Sequence, residues 1–212
     1  MIFIDKKNTP TVFTETKRKC PSYDMLHRED KNLLKEVLIK EQGGICAYCM
    51  SRIDMDTSTI EHYIPQHGSN GDISLSMDYQ NMFAVCKRTR FQKEKDKTCD
   101  DKKKENLITI DPRRRSDIDQ IKYSMNGRIY SERGDFNSDL NNTLNLNQAT
   151  LINNRKAAIE AVLYELTSQK SGKWNSKILQ KRIEKYNNDY PKREYYGAII
   201  YFLNKRLKRE ST

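Results

Sequence analysis

"GICAYC", residues 44–49, places Cys46 and Cys49 two residues apart at the end of a charged, leucine-bearing stretch. Two intervening residues let a knuckle turn aim both sulfurs at one point, as tetrahedral zinc requires. A thioredoxin-like redox pair is the poorer reading, because no βαβ pattern flanks the two cysteines. Cys86 and Cys99 form a second pair, separated by "KRTRFQKEKDKT", which is longer than a knuckle. Spacing alone therefore leaves two readings open, a four-cysteine zinc site and unrelated buried thiols, and favours the first. The fifth cysteine, Cys20, reads as a small, partly buried residue rather than a reactive thiol.

Upstream of the knuckle, Leu33, Leu34, Val37 and Leu38 share one face of a helix expected over about 30–42, which Gly43 and Gly44 stop. "MIFI" at the start reads as a strand, and the region near Pro21 as turn-rich. Downstream, "STIEHYIP" (58–65) reads as a short strand meeting a loop at Pro65, and "SLSMDYQNMFAVC" (74–86) as a loop or short helix. "NLITIDP" (106–112) reads as a strand, and "IKYSMNGRIYS" (121–131) as a hairpin turning at Asn126 and Gly127. Leu151, Ile152, Ala158, Ile159, Val162, Leu163 and Leu166 then recur at helical spacing through about 168, and two more helices are expected over 174–188 and 191–209. Pro191 would sit in the first turn of the last one. The expected fold class is α+β, with a β-containing part at 1–136 and a mainly helical region at 137–212.

At 212 residues, 36% hydrophobic and 32% charged, the chain has too little apolar surface for one large core. Its longest apolar runs, such as "GAIIYFL" at 197–203, fall far short of the roughly 20 residues that cross a bilayer, which argues against a membrane-spanning role. "MIFIDKKNTP" lacks the basic-then-apolar order of a signal peptide, so a reducing cytoplasm is expected, where cysteine pairs mean metal or catalysis. The net charge of +10 points to a polyanion, nucleic acid first, against the plainer reading of a solvated basic surface.

The two cysteine pairs are accompanied by "IEHYIP" with Glu61 and His62, "YQNMFAVC" with Asn81, and "CDDKKK" with Asp100 and Asp101. This order (CxxC, acid-His, Asn, Cys, Cys-acid) resembles the HNH nucleases, whose ββα-metal unit is commonly braced by a four-cysteine zinc site. The likeness continues through "EVLIKEQGGICAYCMSRI", "LNLNQATLINNRKAAIEAV" and "YYGAIIYFLNKRLKR", and so covers most of the chain. Together these stretches are similar to the HNH family that includes PtuB of the Septu anti-phage system and its retron-associated relatives.

The resemblance implies a nuclease with a structural zinc on Cys46, Cys49, Cys86 and Cys99 and His62 as general base. A histidine suits that role because its ordinary pKa leaves it neutral near pH 7. It further implies a catalytic divalent ion, Mg²⁺ or alternatively Mn²⁺, held by the hard carboxylates of Glu61 and Asp100. Asn81 would fix the loop that carries the imidazole. Many HNH proteins have asparagine or histidine after the final cysteine, whereas here Asp100 and Asp101 compete for the place, with Asp101 in reserve. The family implies a prokaryotic defence role in a hetero-oligomer with a PtuA-type ATPase, the C-terminal helices being the candidate contact surface.

Lys87, Arg88, Arg90, Lys102, Lys103, Lys104 and Arg113, Arg114 and Arg115 are expected to contact phosphates, of DNA first and RNA second. Tyr123, Tyr130, Tyr195, Tyr196 and Tyr201 could stack on bases, but packing is the better account of most. His67 reads as a solvated loop histidine, and His27 carries no signal. The rival class is a zinc-braced nucleic-acid-binding adaptor, or an ATPase scaffold, without catalysis.

Overall fold

The computed structural model describes residues 1–168 and 174–210. It is a mixed α+β fold with two small antiparallel sheets among helices. The first helix, α1 (Thr11–Lys19), lies where only turns are expected, and α2 (Arg28–Glu41) follows. Helix α2 buries Leu34 and Leu38, carries Glu29 and Asp30 at its positive end, and has Lys40 at its negative end. Gly43 and Gly44 both take positive φ, +71° and +73°, and their N–H groups return to Lys40 O and Ile39 O. That is the left-handed stop glycine adopts without a Cβ penalty.

The chain next closes a tight knuckle. Ile45 bridges to Arg52, Cys46 N donates to Ser51 O (2.9 Å), and Met50 N donates to Cys46 O (3.0 Å). Strand β1 (Ser58–His62) then pairs antiparallel with β2 (Met82–Cys86), with Glu61 opposite Phe83 and His62 opposite Met82. The expected loop or short helix at 74–86 is therefore divided: 3₁₀ turns occupy Ile73–Leu75 and Tyr79–Asn81, and the apolar "MFAVC" is a fully buried strand. Gln42 holds the middle of that strand, donating to Ala84 O (2.7 Å) and accepting from Ala84 N (2.8 Å). Helix α3 (Cys99–Lys103) packs against β2.

Two expected strands are absent. "MIFI" is buried coil, its Ile4 N bonded to Pro112 O (2.8 Å). In "NLITIDP" the N–H groups of Thr109 and Ile110 find the Asp139 carboxylate (2.6 and 3.1 Å), so a side chain replaces the missing neighbour strand. Helix α4 (Arg115–Ile118) leads to the hairpin of β3 (Lys122–Tyr123) and β4 (Ile129–Tyr130), turning through Gly127 at φ +86°.

After α5 (Gly134–Ser138) come α6 (Ala149–Ser168), α7 (Ser176–Asn188) and α8 (Tyr196–Glu210). Pro191 precedes α8 rather than opening it. Residues 192–195 instead form a hook on the knuckle: Lys192 N donates to Gly43 O (2.9 Å), Tyr195 N to Met50 O (3.0 Å), and the Tyr195 hydroxyl lies 3.0 Å from Ser51 Oγ. The main apolar core runs from Met1 through the cysteines to Leu151, Ile159 and Ala198, crossing the expected boundary at 136. A smaller core joins α6, α7 and α8. Arg155 is wholly buried in α6, its Nε on Gly127 O and its Nη2 on Leu146 O, both at 2.7 Å. Among the described residues no helix is long and apolar enough to cross a membrane.

Candidate functional site

The knuckle, β2 and α3 bring four sulfurs together. Cys46, Cys49, Cys86 and Cys99 are all buried, and their Sγ atoms lie within 4.8 Å of one another. The separations Cys49–Cys86, Cys86–Cys99 and Cys46–Cys99 are 3.6, 3.7 and 3.9 Å. Sulfurs at ~2.3 Å from one tetrahedral ion stand about 3.8 Å apart, whereas a disulfide needs ~2 Å. The spacing therefore fits a four-thiolate zinc and excludes disulfides.

Charge supports the same conclusion. Hydrogen bonds from Cys46, Cys86 and Cys99 hold the Cys49 thiol well below its ordinary pKa, while the same sulfur network, followed by burial, drives Cys86 and Cys99 well above theirs. By itself the nest sustains one thiolate, and four require a cation. Cys86 N also points at Cys46 Sγ (3.3 Å) and Ser51 Oγ lies 3.3 Å from Cys49 Sγ. Cys20 stands outside the nest, against Ser22 O (3.4 Å).

One residue past Cys99, α3 carries Asp100 to Glu61. Burial first, and the Asp100 charge second, push Glu61 up to about 8 against the pull of Lys103. Lys103 Nζ sits 2.7 Å from Glu61 Oε1 and the buried Tyr48 hydroxyl donates to the same oxygen at 3.0 Å. One ammonium is too little positive charge for two neighbouring carboxyls, so the pair suits a hard divalent cation. Asp101 points elsewhere, accepting from Thr89 Oγ1 (3.0 Å) and Arg90 Nε (3.3 Å). Of the two competing aspartates, Asp100 is the one beside Glu61.

His62 lies at the end of β1, 6% exposed. Its Nε2 is 3.0 Å from Ser76 O, and because a carbonyl only accepts, the proton belongs on Nε2 and the lone pair on Nδ1. Gln66 Nε2 donates to that Nδ1 at 3.2 Å, and the Tyr23 ring meets the imidazole edge-on at 4.7 Å. Burial lowers the pKa of His62 below its ordinary 6.5. Asn81 clamps the loop after β1: its Oδ1 accepts from Ile64 N (2.8 Å) and its Nδ2 donates to Ile64 O (2.9 Å) and Leu75 O (3.4 Å).

The expected phosphate contacts divide. Arg88, Arg90, Lys104 and Arg114 are exposed, and Lys87 and Lys102 half-buried. Arg113 is engaged by Asp111 (2.8 Å) and Gln80 O (2.7 Å). Lys103 departs from expectation altogether, being wholly buried because the helical turn from Cys99 aims it inward at Glu61. Lys103→Met is expected to lower unfolding stability by about 3 kcal/mol, read from urea denaturation, since it leaves a buried carboxyl without its cation. An unchanged midpoint would show that the ion pair contributes nothing. His67 is exposed on its loop, 3.8 Å from Asp24.

Tyr48, Lys103, Ser76 and Gln66 are the site residues that motif order misses. Of these, Tyr48 could have been suspected from its place inside the CxxC turn. No family model matches the chain. Over 208 residues it is 27% identical to "Retron Vc95 putative HNH endonuclease" of Vibrio cholerae serotype O1 biovar El Tor, an alignment that spans 92% of this chain and 98% of that relative.

Proposed function

We propose that this chain is a metal-dependent endonuclease of the HNH kind, hydrolysing phosphodiester bonds of nucleic acid. The observation that carries the reading is the junction at Cys99, where a sulfur of the zinc nest and the carboxyl facing Glu61 are consecutive residues. Similarity to a retron protein described as an HNH endonuclease supports it over nearly the full length. Cys46, Cys49, Cys86 and Cys99 would hold a structural zinc, and Glu61 and Asp100 a catalytic Mg²⁺ or Mn²⁺. When bound, that second cation supplies charge stabilisation to the phosphoryl and leaving oxygens. His62 takes the proton of the attacking water at Nδ1, the nitrogen left bare when Ser76 O fixes the proton on Nε2. Gln66 covers that nitrogen, so its carboxamide must swing aside to admit the water. Asn81 keeps the loop from carrying the imidazole away from the carboxylates.

The assembly belongs to the same proposal: a nuclease subunit working with a PtuA-type ATPase in anti-phage defence, the contact face lying on the C-terminal helices. Tyr164 on α6 and Tyr190 before α8, 73% and 64% exposed, are side chains such a partner could cover. The rival reading, a zinc-braced adaptor without catalysis, draws on the near-complete burial of His62. The deciding experiment is to purify the chain with its genomic neighbour and to assay the complex on plasmid, single-stranded DNA and RNA, with and without Mg²⁺ and nucleotide. Mg²⁺-dependent cleavage is expected. Its absence from the assembled complex on all three substrates would leave the adaptor.

A further inference from the structure

The loop joining Cys86 to Cys99 has no part in the chemistry above, yet it is built with care. Its residues, "KRTRFQKEKDKT", carry six basic side chains and two acidic ones. Near its tip Phe91 is 96% exposed, more than any other large apolar side chain among the described residues. A phenylalanine left in water forgoes about 2 kcal/mol of burial, which a loop needing only solubility would not retain.

The loop is pinned, not slack. Thr98 N donates to Thr89 Oγ1 (3.0 Å), Thr89 Oγ1 donates to Asp101 (3.0 Å), Gln92 N bonds Thr89 O (2.9 Å), and Arg88 Nη2 reaches Arg52 O (2.7 Å). Both ends are cysteines of the sulfur nest. The ring is thus held outward, and the root of the loop touches Asp101, next in sequence to the carboxyl that faces Glu61.

A rigidly presented aromatic ring among cations matches a polyanion that exposes flat apolar faces, which is single-stranded nucleic acid; a duplex hides those faces in its stack. We propose that Phe91 stacks on an unpaired base while Arg88, Lys93 and Lys95 contact the flanking phosphates, so that a single-stranded segment is led to Glu61 and His62. The inference rests on the nucleic-acid reading above and adds the substrate class, a strand with unpaired bases in preference to intact duplex.

The test is equilibrium binding of the full-length chain, without added Mg²⁺, to a fluorescein-labelled single-stranded DNA and to the same sequence as duplex. Phe91→Ala is expected to weaken single-strand binding about tenfold, within the range of one base stack, with the salt dependence unchanged and duplex binding altered less than twofold. Combined Lys93→Ala and Lys95→Ala should instead flatten the salt dependence by about one logarithmic unit. The chain has one tryptophan, so Phe91→Trp combined with Trp174→Phe places a single indole at the tip, and single-stranded DNA should quench it. Unaltered affinity in Phe91→Ala together with an unquenched indole would overturn the stacking role while leaving the nuclease reading intact. Equal weakening on duplex would overturn the substrate class. If the wild-type chain binds neither DNA, and RNA of the same sequence also fails, the nucleic-acid reading falls and this inference with it.

Discussion

Replacing His62 with alanine is expected to slow nucleic-acid cleavage by about 10²–10⁴-fold, the range a positioned general base contributes. The buried imidazole is fixed in one tautomer by Ser76 O, leaving Nδ1 as its only basic nitrogen. Burial disfavours the imidazolium, so the pKa lies below 6.5 and the base is ready at neutral pH. The rate should therefore hold level around pH 7 and fall only as acidity passes below 6.5. Stability moves the same way, because the unfolded chain takes up the proton before the folded one does and acid favours unfolding. Some cleavage should survive the substitution, since Glu61, Asp100 and their cation still act on the phosphoryl oxygens. Initial rates of plasmid nicking against pH, for wild type and variant at equal Mg²⁺, measure both effects. Variant rates within a few-fold of wild type would remove His62 from the chemistry and leave the adaptor reading in place.

Cys99→Ser is expected to take bound zinc from about one ion per chain to almost none and to abolish a cooperative thermal transition. A structural zinc contributes roughly 10–16 kcal/mol in small domains, comparable to the whole stability of a typical domain at about 5–15 kcal/mol. Here the ion would join the knuckle, β2 and α3, three segments with little other reason to meet. Cys99 itself sits at φ +55°, with its N–H on Leu144 O (3.0 Å), so the segment leading to α6 depends on the same residue. Metal analysis by mass spectrometry and a circular dichroism melt provide the measurement, with Cys20→Ser as the control that should keep both zinc and melting point. Zinc retained in the Cys99 variant would refute the four-sulfur assignment.

The parts of the fold legible in advance were those whose signal is local. The glycine stop after α2, the Asn126-Gly127 hairpin and the long period of α6 are each specified by a few neighbouring residues. "MFAVC" was misjudged because a strand buried on both faces has no alternation, and a run of five apolar residues fits helix or strand equally. "NLITIDP" failed for the opposite reason: it has strand-like residues, but its N–H groups are claimed by Asp139, thirty positions on from Thr109, which no local pattern announces. In the site, the order of Cys, His, Asn and Asp was readable because chemistry restricts those residue types. The direction of Lys103 was not, since a lysine among "DKKK" looks solvated until helix geometry turns one of the three inward.

The hook formed by Lys192 and Tyr195 has a temporal consequence. A ribosome releases all four sulfur-bearing cysteines long before it makes the segment that clamps their turn through Gly43, Met50 and Ser51. A nascent or prematurely ended chain thus carries the reactive residues without the clasp that holds them in register, and the protein acquires its finished centre only when synthesis is nearly complete.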